Sequence, residues 1–119
     1  MAKVLVVDDS STVRNEVSSY LSAQGIEVST AVDGLDGLSK IQQDPNLKLV
    51  LCDVNMPNMD GLTMVEKVKQ SGKTISIIML TTESNPNMKQ RGKDAGVKGW
   101  IVKPFNGEAA IAGIKKMIS

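Results

Sequence analysis

A chain of 119 residues with 41% apolar composition has material for one compact core and little for a second. No apolar run reaches the roughly 20 residues of a membrane-spanning helix, and Cys52 is the only cysteine in a chain without histidine. That excludes an internal disulfide, a cysteine zinc site and any imidazole ligand or base, and leaves carboxylates, hydroxyls and lysines to carry chemistry.

The opening Met1-Ala2-Lys3 leads into a short apolar run that stops at Asp8 and Asp9. It lacks the longer apolar segment and small-residue cleavage site of a secretion signal, so a soluble cytoplasmic protein is expected. The net charge of +1 is unevenly spread: residues 1–85 hold 7 basic and 11 acidic side chains, net −4, and residues 86–119 hold 7 and 2, net +5. Such a C-terminal third suits either lysine-rich solvated helix faces or an acidic partner. Direct nucleic-acid binding is disfavoured, because Tyr20, Trp100 and Phe105 are the only aromatics and form no stacking platform among basic residues.

In chain order, a first apolar strand is predicted over residues 4–7, followed by a helix on which Val13, Val17 and Leu21 recur every fourth residue, with Gly25 at its end. A second strand over 28–31 runs into Asp33-Gly34, which reads as a turn. The third strand covers 49–52, and a helix with Leu62, Val65 and Val68 on one face then ends near Gly72. A fourth strand follows over 75–80, Pro86 opens the next helix, a fifth strand covers 100–102, and Ile111, Ile114 and Ile118 mark the last helix. This alternation predicts an α/β fold: a five-stranded parallel sheet with helices on both faces, joined by right-handed crossovers, in one domain over residues 1–119.

Ligands of such folds gather beyond the carboxyl ends of the strands. The residues found there are Asp8 and Asp9 after the first strand, Asp53 after the third, Thr81 and Thr82 after the fourth, and Lys103-Pro104 after the fifth. Adjacent aspartates alone are ordinary turn or capping residues. Three carboxylates brought together repel one another unless a hard, oxygen-seeking cation such as Mg²⁺ offsets them, and Lys103 adds a further positive charge. Met56, Met59 and Met64 read as adaptable packing beneath a loop, and Cys52 as a buried strand residue.

Asp8-Asp9, the stretch from Asp53 through Asn55, Pro57 and Asn58 to Asp60-Gly61, Thr81 and Lys103-Pro104 together resemble the response-regulator receiver family, in its chemotaxis branch, over the whole chain. The resemblance implies the flavodoxin-like strand order 2-1-3-4-5. It implies that Asp53 is the phosphoacceptor, attacking a phosphohistidine of a sensor histidine kinase to form an aspartyl phosphate. Mg²⁺ would be held by Asp9, Asp53 and the backbone carbonyl of Asn55, with Asp8 acting through water. Lys103, aimed inward by a cis bond to Pro104, would pair with a phosphoryl oxygen, and Thr81 would donate its hydroxyl to another. Trp100 stands at the family's switch aromatic, more often Tyr or Phe; an indole is larger and must satisfy its N–H when buried. Asn55 and Glu83, two residues beyond Asp53 and Thr81, would tune dephosphorylation.

The implied function is a two-component signalling switch and not an enzyme in the usual sense. Its fourth helix, fifth strand and fifth helix would change on phosphorylation and engage a protein target such as a flagellar motor switch component, with the chain a monomer. The same residues also suit a receiver belonging to a longer regulator. A phosphatase forming an aspartyl-phosphate intermediate needs the same aspartate and Mg²⁺, but commonly carries a second aspartate where Asn55 stands, and a cap domain. Flavin binding lacks a hydroxyl-rich phosphate loop after the first strand and aromatics to sandwich the ring.

Overall fold

Strand and helix alternate in a computed structural model that describes residues 3–119: β1 (Lys3–Val7), α1 (Ser11–Ala23), β2 (Glu27–Ala31), α2 (Gly34–Gln43), β3 (Leu47–Cys52), α3 (Gly61–Gln70), β4 (Ser76–Thr81), α4 (Pro86–Asp94), β5 (Gly99–Val102) and α5 (Gly107–Ile118). Met1 and Ala2, read above within the opening segment, lie outside the described residues. The strands form one parallel sheet in the order β2-β1-β3-β4-β5, which is the expected order. Among the described residues, no helix is long and apolar enough to cross a membrane.

The central strands read as unbroken apolar runs because both of their faces are covered. One face sends Leu5, Val7, Val50, Cys52, Ile77 and Met79 into a cluster with Ile41 of α2 and Leu62, Met64, Val65 and Val68 of α3. The other sends Val4, Val6, Leu49, Leu51, Ile78 and Leu80 against Val17 and Leu21 of α1 and Ile114 of α5. The helical stripes read from spacing are therefore the faces that meet the sheet. Met64 is fully buried, while Met56 and Met59 pack against the edge of the first cluster, as expected of gap-filling side chains. Cys52 is buried at 0% exposure, so the reading as a buried strand residue holds, and burial pushes its thiol well above the ordinary range.

Local expectations are corrected: β1, β2 and β5 begin one residue earlier than expected, and β3 two residues earlier. Asp33-Gly34 is not a free turn: Asp33 is the N-cap of α2, its side chain accepting from the Asp36 N–H, and Gly34 is the first helical residue. The fourth strand spans residues 76–81 and not 75–80, because its ladder starts at Leu49 opposite Ser76 and runs on until Thr81 meets Val102. Gly25 and Gly72 take φ of +79° and +82° just past α1 and α3, the left-handed helix ending that glycine adopts at least cost.

The start of α3 is set by a close approach. Gly61 donates its N–H to the Val54 carbonyl at 2.8 Å, and a Cβ at Gly61 would overlap the Asp53 carbonyl. Gly113, in α5, has nothing within 4 Å of a would-be Cβ. Gly61→Ala should therefore lower stability in urea unfolding by about 1–3 kcal/mol, the usual cost of overpacking. Gly113→Ala should be neutral or stabilising by up to ~1 kcal/mol through helix propensity.

Candidate functional site

The ends of β1 and β3 carry the aspartates because the sheet ladder continues one residue past each strand. The Asp8 N–H donates to the Ala31 carbonyl at 3.1 Å, and the Asp53 N–H donates to the Val7 carbonyl at 3.0 Å. Asp8 and Asp53 are 2% and 7% exposed, whereas Asp9 faces solvent. One carboxylate oxygen from each of the three residues lies within 4.8 Å of the others. The expectation that these aspartates converge is met.

Lys103 directly follows β5, the strand beyond β4 in the same sheet. Its backbone N–H donates to the Thr81 carbonyl at 2.9 Å, and its bond to Pro104 is cis, as the resemblance implied. Its Nζ reaches Oδ2 of Asp8 at 2.8 Å and Oδ2 of Asp53 at 3.3 Å. Burial alone would lower the lysine's pKa, but the bond to Asp8 and the charges of Asp53 and Asp8 outweigh it and hold the ammonium above its ordinary value. Asp8 is raised: burial is the main cause and outweighs the opposing bonds from Lys103 and the Ser10 N–H. One ammonium thus faces three carboxylates, with acidic charge left over. The donor set is all oxygen, with an exposed side at Asp9, which is what a hard divalent cation such as Mg²⁺ requires.

Thr81 is fully buried at the end of β4, and its Oγ1 accepts the Glu83 N–H at 3.2 Å. The carbonyl of Glu83 accepts the Trp100 indole N–H at 2.8 Å. Thr81 and Trp100 are thus joined through the backbone of one residue, and the indole satisfies its donor on the β4–α4 loop. The half-buried ring rests on α4, where a Cβ at Gly92 would come 3.2 Å from Cζ3. The Glu83 side chain accepts the Asn85 N–H at 3.2 Å, and Asn55 sits exposed on the β3–α3 loop.

Sequence reasoning missed several residues that hold the site. Ser10, not Asp9, caps α1, and its own N–H donates to Oδ1 of Asp8 at 2.9 Å. Its position before the first helical stripe was a usable signal. Arg14 Nη1 donates to the Asp8 carbonyl at 2.7 Å, a contact without a sequence signature. Asn58 takes φ of +68° and reaches back to Asp33. A surface groove of about 440 Å³ between α3 and α4 is lined mostly by polar residues, Glu66 and Arg91 among them, and lies apart from the acidic cluster.

The response regulator receiver domain family matches residues 4–115. The chain is 42% identical to chemotaxis protein CheY1 of Helicobacter pylori over 106 residues, covering 87% of this chain and 86% of that protein. Among solved structures it resembles chemotaxis protein CheY4 of Vibrio cholerae, with a TM-score of 0.89, 44% identity and 98% of both chains covered. It also resembles response regulator TrrA of Thermotoga maritima, solved in complex with Mg²⁺–BeF, with a TM-score of 0.87, 31% identity, and 98% of this chain and 99% of that one covered. With an acidic Asp8/Asp9/Asp53 site at the carboxyl end of a β2-β1-β3-β4-β5 sheet, the chain belongs to the response regulator receiver domain family, whose members are signalling switches and not classical enzymes.

Proposed function

We propose that this chain is a single receiver domain over residues 1–119 that takes a phosphoryl group on Asp53 from a phosphohistidine of a sensor histidine kinase and passes the change to a protein target in the cytoplasm. The observation that carries the reading is the convergence of three carboxylates within 4.8 Å, with the Lys103 ammonium spanning Asp8 and Asp53. In the transfer, a carboxylate oxygen of Asp53 attacks phosphorus, the P–N bond to the donor histidine breaks, and its electron pair stays on the imidazole. Lys103, already charged and inward-facing, offsets charge on the transferring oxygens. Asp9, Asp53 and the backbone carbonyl of Asn55 would hold Mg²⁺, with Asp8 acting through water; the ion would supply electrostatic stabilisation of the phosphoryl oxygens. The Mg²⁺–BeF bound to the Thermotoga relative supports this cofactor.

The phosphoryl group would draw the Thr81 hydroxyl, and Thr81 is bonded to the same Glu83 backbone that Trp100 holds. Movement of Thr81 therefore alters what anchors the indole and the β4–α4 loop. The helix next to that loop is the least embedded of the five: α4 buries only Gly92. Beside apolar packing of Met88 on the cluster that holds Leu62, its ties to α3 include polar ones, from Arg91 to Glu66 at 2.7 and 2.8 Å and from Lys69 to the Asp94 carbonyl at 2.8 Å. Shallow burial and polar ties let a helix shift at small cost. The signalling surface assigned here is α4, β5 and α5, and its target an acidic protein segment, in keeping with the basic C-terminal third. The chemotaxis relatives support a chemotaxis role, and the target assigned to it here is a protein such as a flagellar motor switch component. Asn55 and Glu83, two residues beyond Asp53 and Thr81, are assigned to tune loss of the phosphoryl group.

Exposure to acetyl phosphate and Mg²⁺ should add about 80 Da to the wild type by mass spectrometry and nothing to Asp53→Asn, since the carboxylate is the covalent nucleophile; an equal adduct in the variant would sink the assignment. Saturating beryllofluoride with Mg²⁺ should shift the emission or quenching of Trp100, the only tryptophan; unchanged fluorescence would remove Trp100 from the relay. Because burial raises the Asp8 pKa, its ionised form opposes folding at neutral pH. Asp8→Asn should therefore stabilise the metal-free chain in urea unfolding at neutral pH, while Mg²⁺ raises Tm less in this variant than in the wild type.

A further inference from the structure

Residues 53–60 lead from Asp53, a member of the acidic cluster, to the start of α3, with Asn55, Pro57 and Asn58 exposed to solvent. An exposed loop of this kind ordinarily samples many conformations. Here it is tied to α2 at two points. Asn58, the one non-glycine residue with positive φ among those described, donates its amide Nδ2 to Oδ2 of Asp33 at 2.7 Å, across 25 positions of sequence. Next to it, the Gly34 N–H donates to the Met59 carbonyl at 3.0 Å, and a Cβ at Gly34 would overlap that carbonyl.

The anchor itself is buried and fully bonded. Asp33 is only 8% exposed and uses both carboxylate oxygens, Oδ1 for the Asp36 N–H at 2.8 Å and Oδ2 for Asn58. Behind it α2 lies close on the sheet, since a Cβ at Gly37 would come 2.8 Å from Met64 Sδ and 3.0 Å from Val7. Asparagine is also the side chain best suited to the post at 58, because it tolerates left-handed backbone and carries a donor to spend on a carboxylate.

We propose that Asp33 and Asn58 are positioning residues for the acidic site, a latch between α2 and the β3–α3 loop that holds the Asn55 backbone near the cluster and thereby sets Mg²⁺ affinity and the lifetime of the phosphorylated state. The proposal rests on the metal-site reading given above. Asn55 lies midway between Asp53, which the sheet ladder holds, and Asn58, which the latch holds. Releasing one end divides the loop among more conformers, and affinity falls with the fraction that presents the site correctly.

Two single variants separate the latch from the cap and from the backbone strain. Asn58→Gly accepts the positive φ and deletes the amide. Asp33→Ser keeps a capping hydroxyl for α2 and deletes the oxygen that meets Asn58. The exchange Asp33→Asn with Asn58→Asp rebuilds the amide–carboxylate bond in the reverse sense at constant charge. Calorimetric titration with MgCl₂ should show both single variants weakened by about tenfold, as for other residues that orient a metal site from behind, and the exchanged pair restored to within about threefold of wild type. Amide hydrogen exchange over residues 55–59 should quicken in the single variants and slow again in the pair, and aspartyl-phosphate loss should follow the same order.

Wild-type Mg²⁺ affinity in both single variants, or an exchanged pair no better than they are, overturns the latch. A wild-type chain that binds no Mg²⁺ overturns the metal-site reading instead. In that event exchange over 55–59 decides the latch, and rates unchanged in the variants reject it.

Discussion

One ammonium faces three carboxylates at the carboxyl end of the sheet, and much of the surrounding structure is what holds that imbalance in place. Asp8 and Asp53 sit at the tips of apolar strands packed on both faces, so water is largely kept from them and their repulsion is poorly screened. Lys103 relieves part of it by touching both. Ser10 and Arg14 attend to Asp8, the first through its backbone N–H and the second at the carbonyl. The residual negative charge of Asp8, Asp9 and Asp53 is of the kind that a hard divalent cation offsets, as is typical of receiver domains.

The loops around the cluster divide the work. The β3–α3 loop is fastened at Asp33, Gly34 and Val54, and glycine is needed wherever two backbones approach too closely for a Cβ. The β4–α4 loop is held more lightly, by the Thr81 hydroxyl on one side of Glu83 and the Trp100 indole on the other. A tryptophan serves here because its N–H finds a carbonyl while its ring covers α4. The contrast is physical: one loop is bonded to a helix buried against the sheet, and the other leads into a helix that buries a single glycine.

Most of the architecture was legible in the chain because it is written at short range. Short strand segments of three to six residues, helical stripes such as Leu62, Val65 and Val68, and glycines past helix ends report local periodicity and backbone freedom. The aspartates, Thr81 and Lys103 could be placed together because parallel strands bring all their carboxyl ends to one edge. Asp33-Gly34 misled because an Asp-Gly pair looks the same in a turn and at a helix start; only the Asp36 N–H meeting the Asp33 carboxylate distinguishes them.

What the sequence determined by itself was therefore the order of elements, the apolar faces and the set of chemically competent residues, all consequences of residue type and spacing. The tertiary structure alone decided which of these residues touch. That Lys103 reaches Asp8 in preference to solvent, that the Trp100 N–H ends on the Glu83 carbonyl, and that Asn58 bonds to Asp33 are pairings between distant positions. Nothing in local spacing encodes them, because each depends on strand register, on the backbone path of a loop and on the depth at which a helix packs.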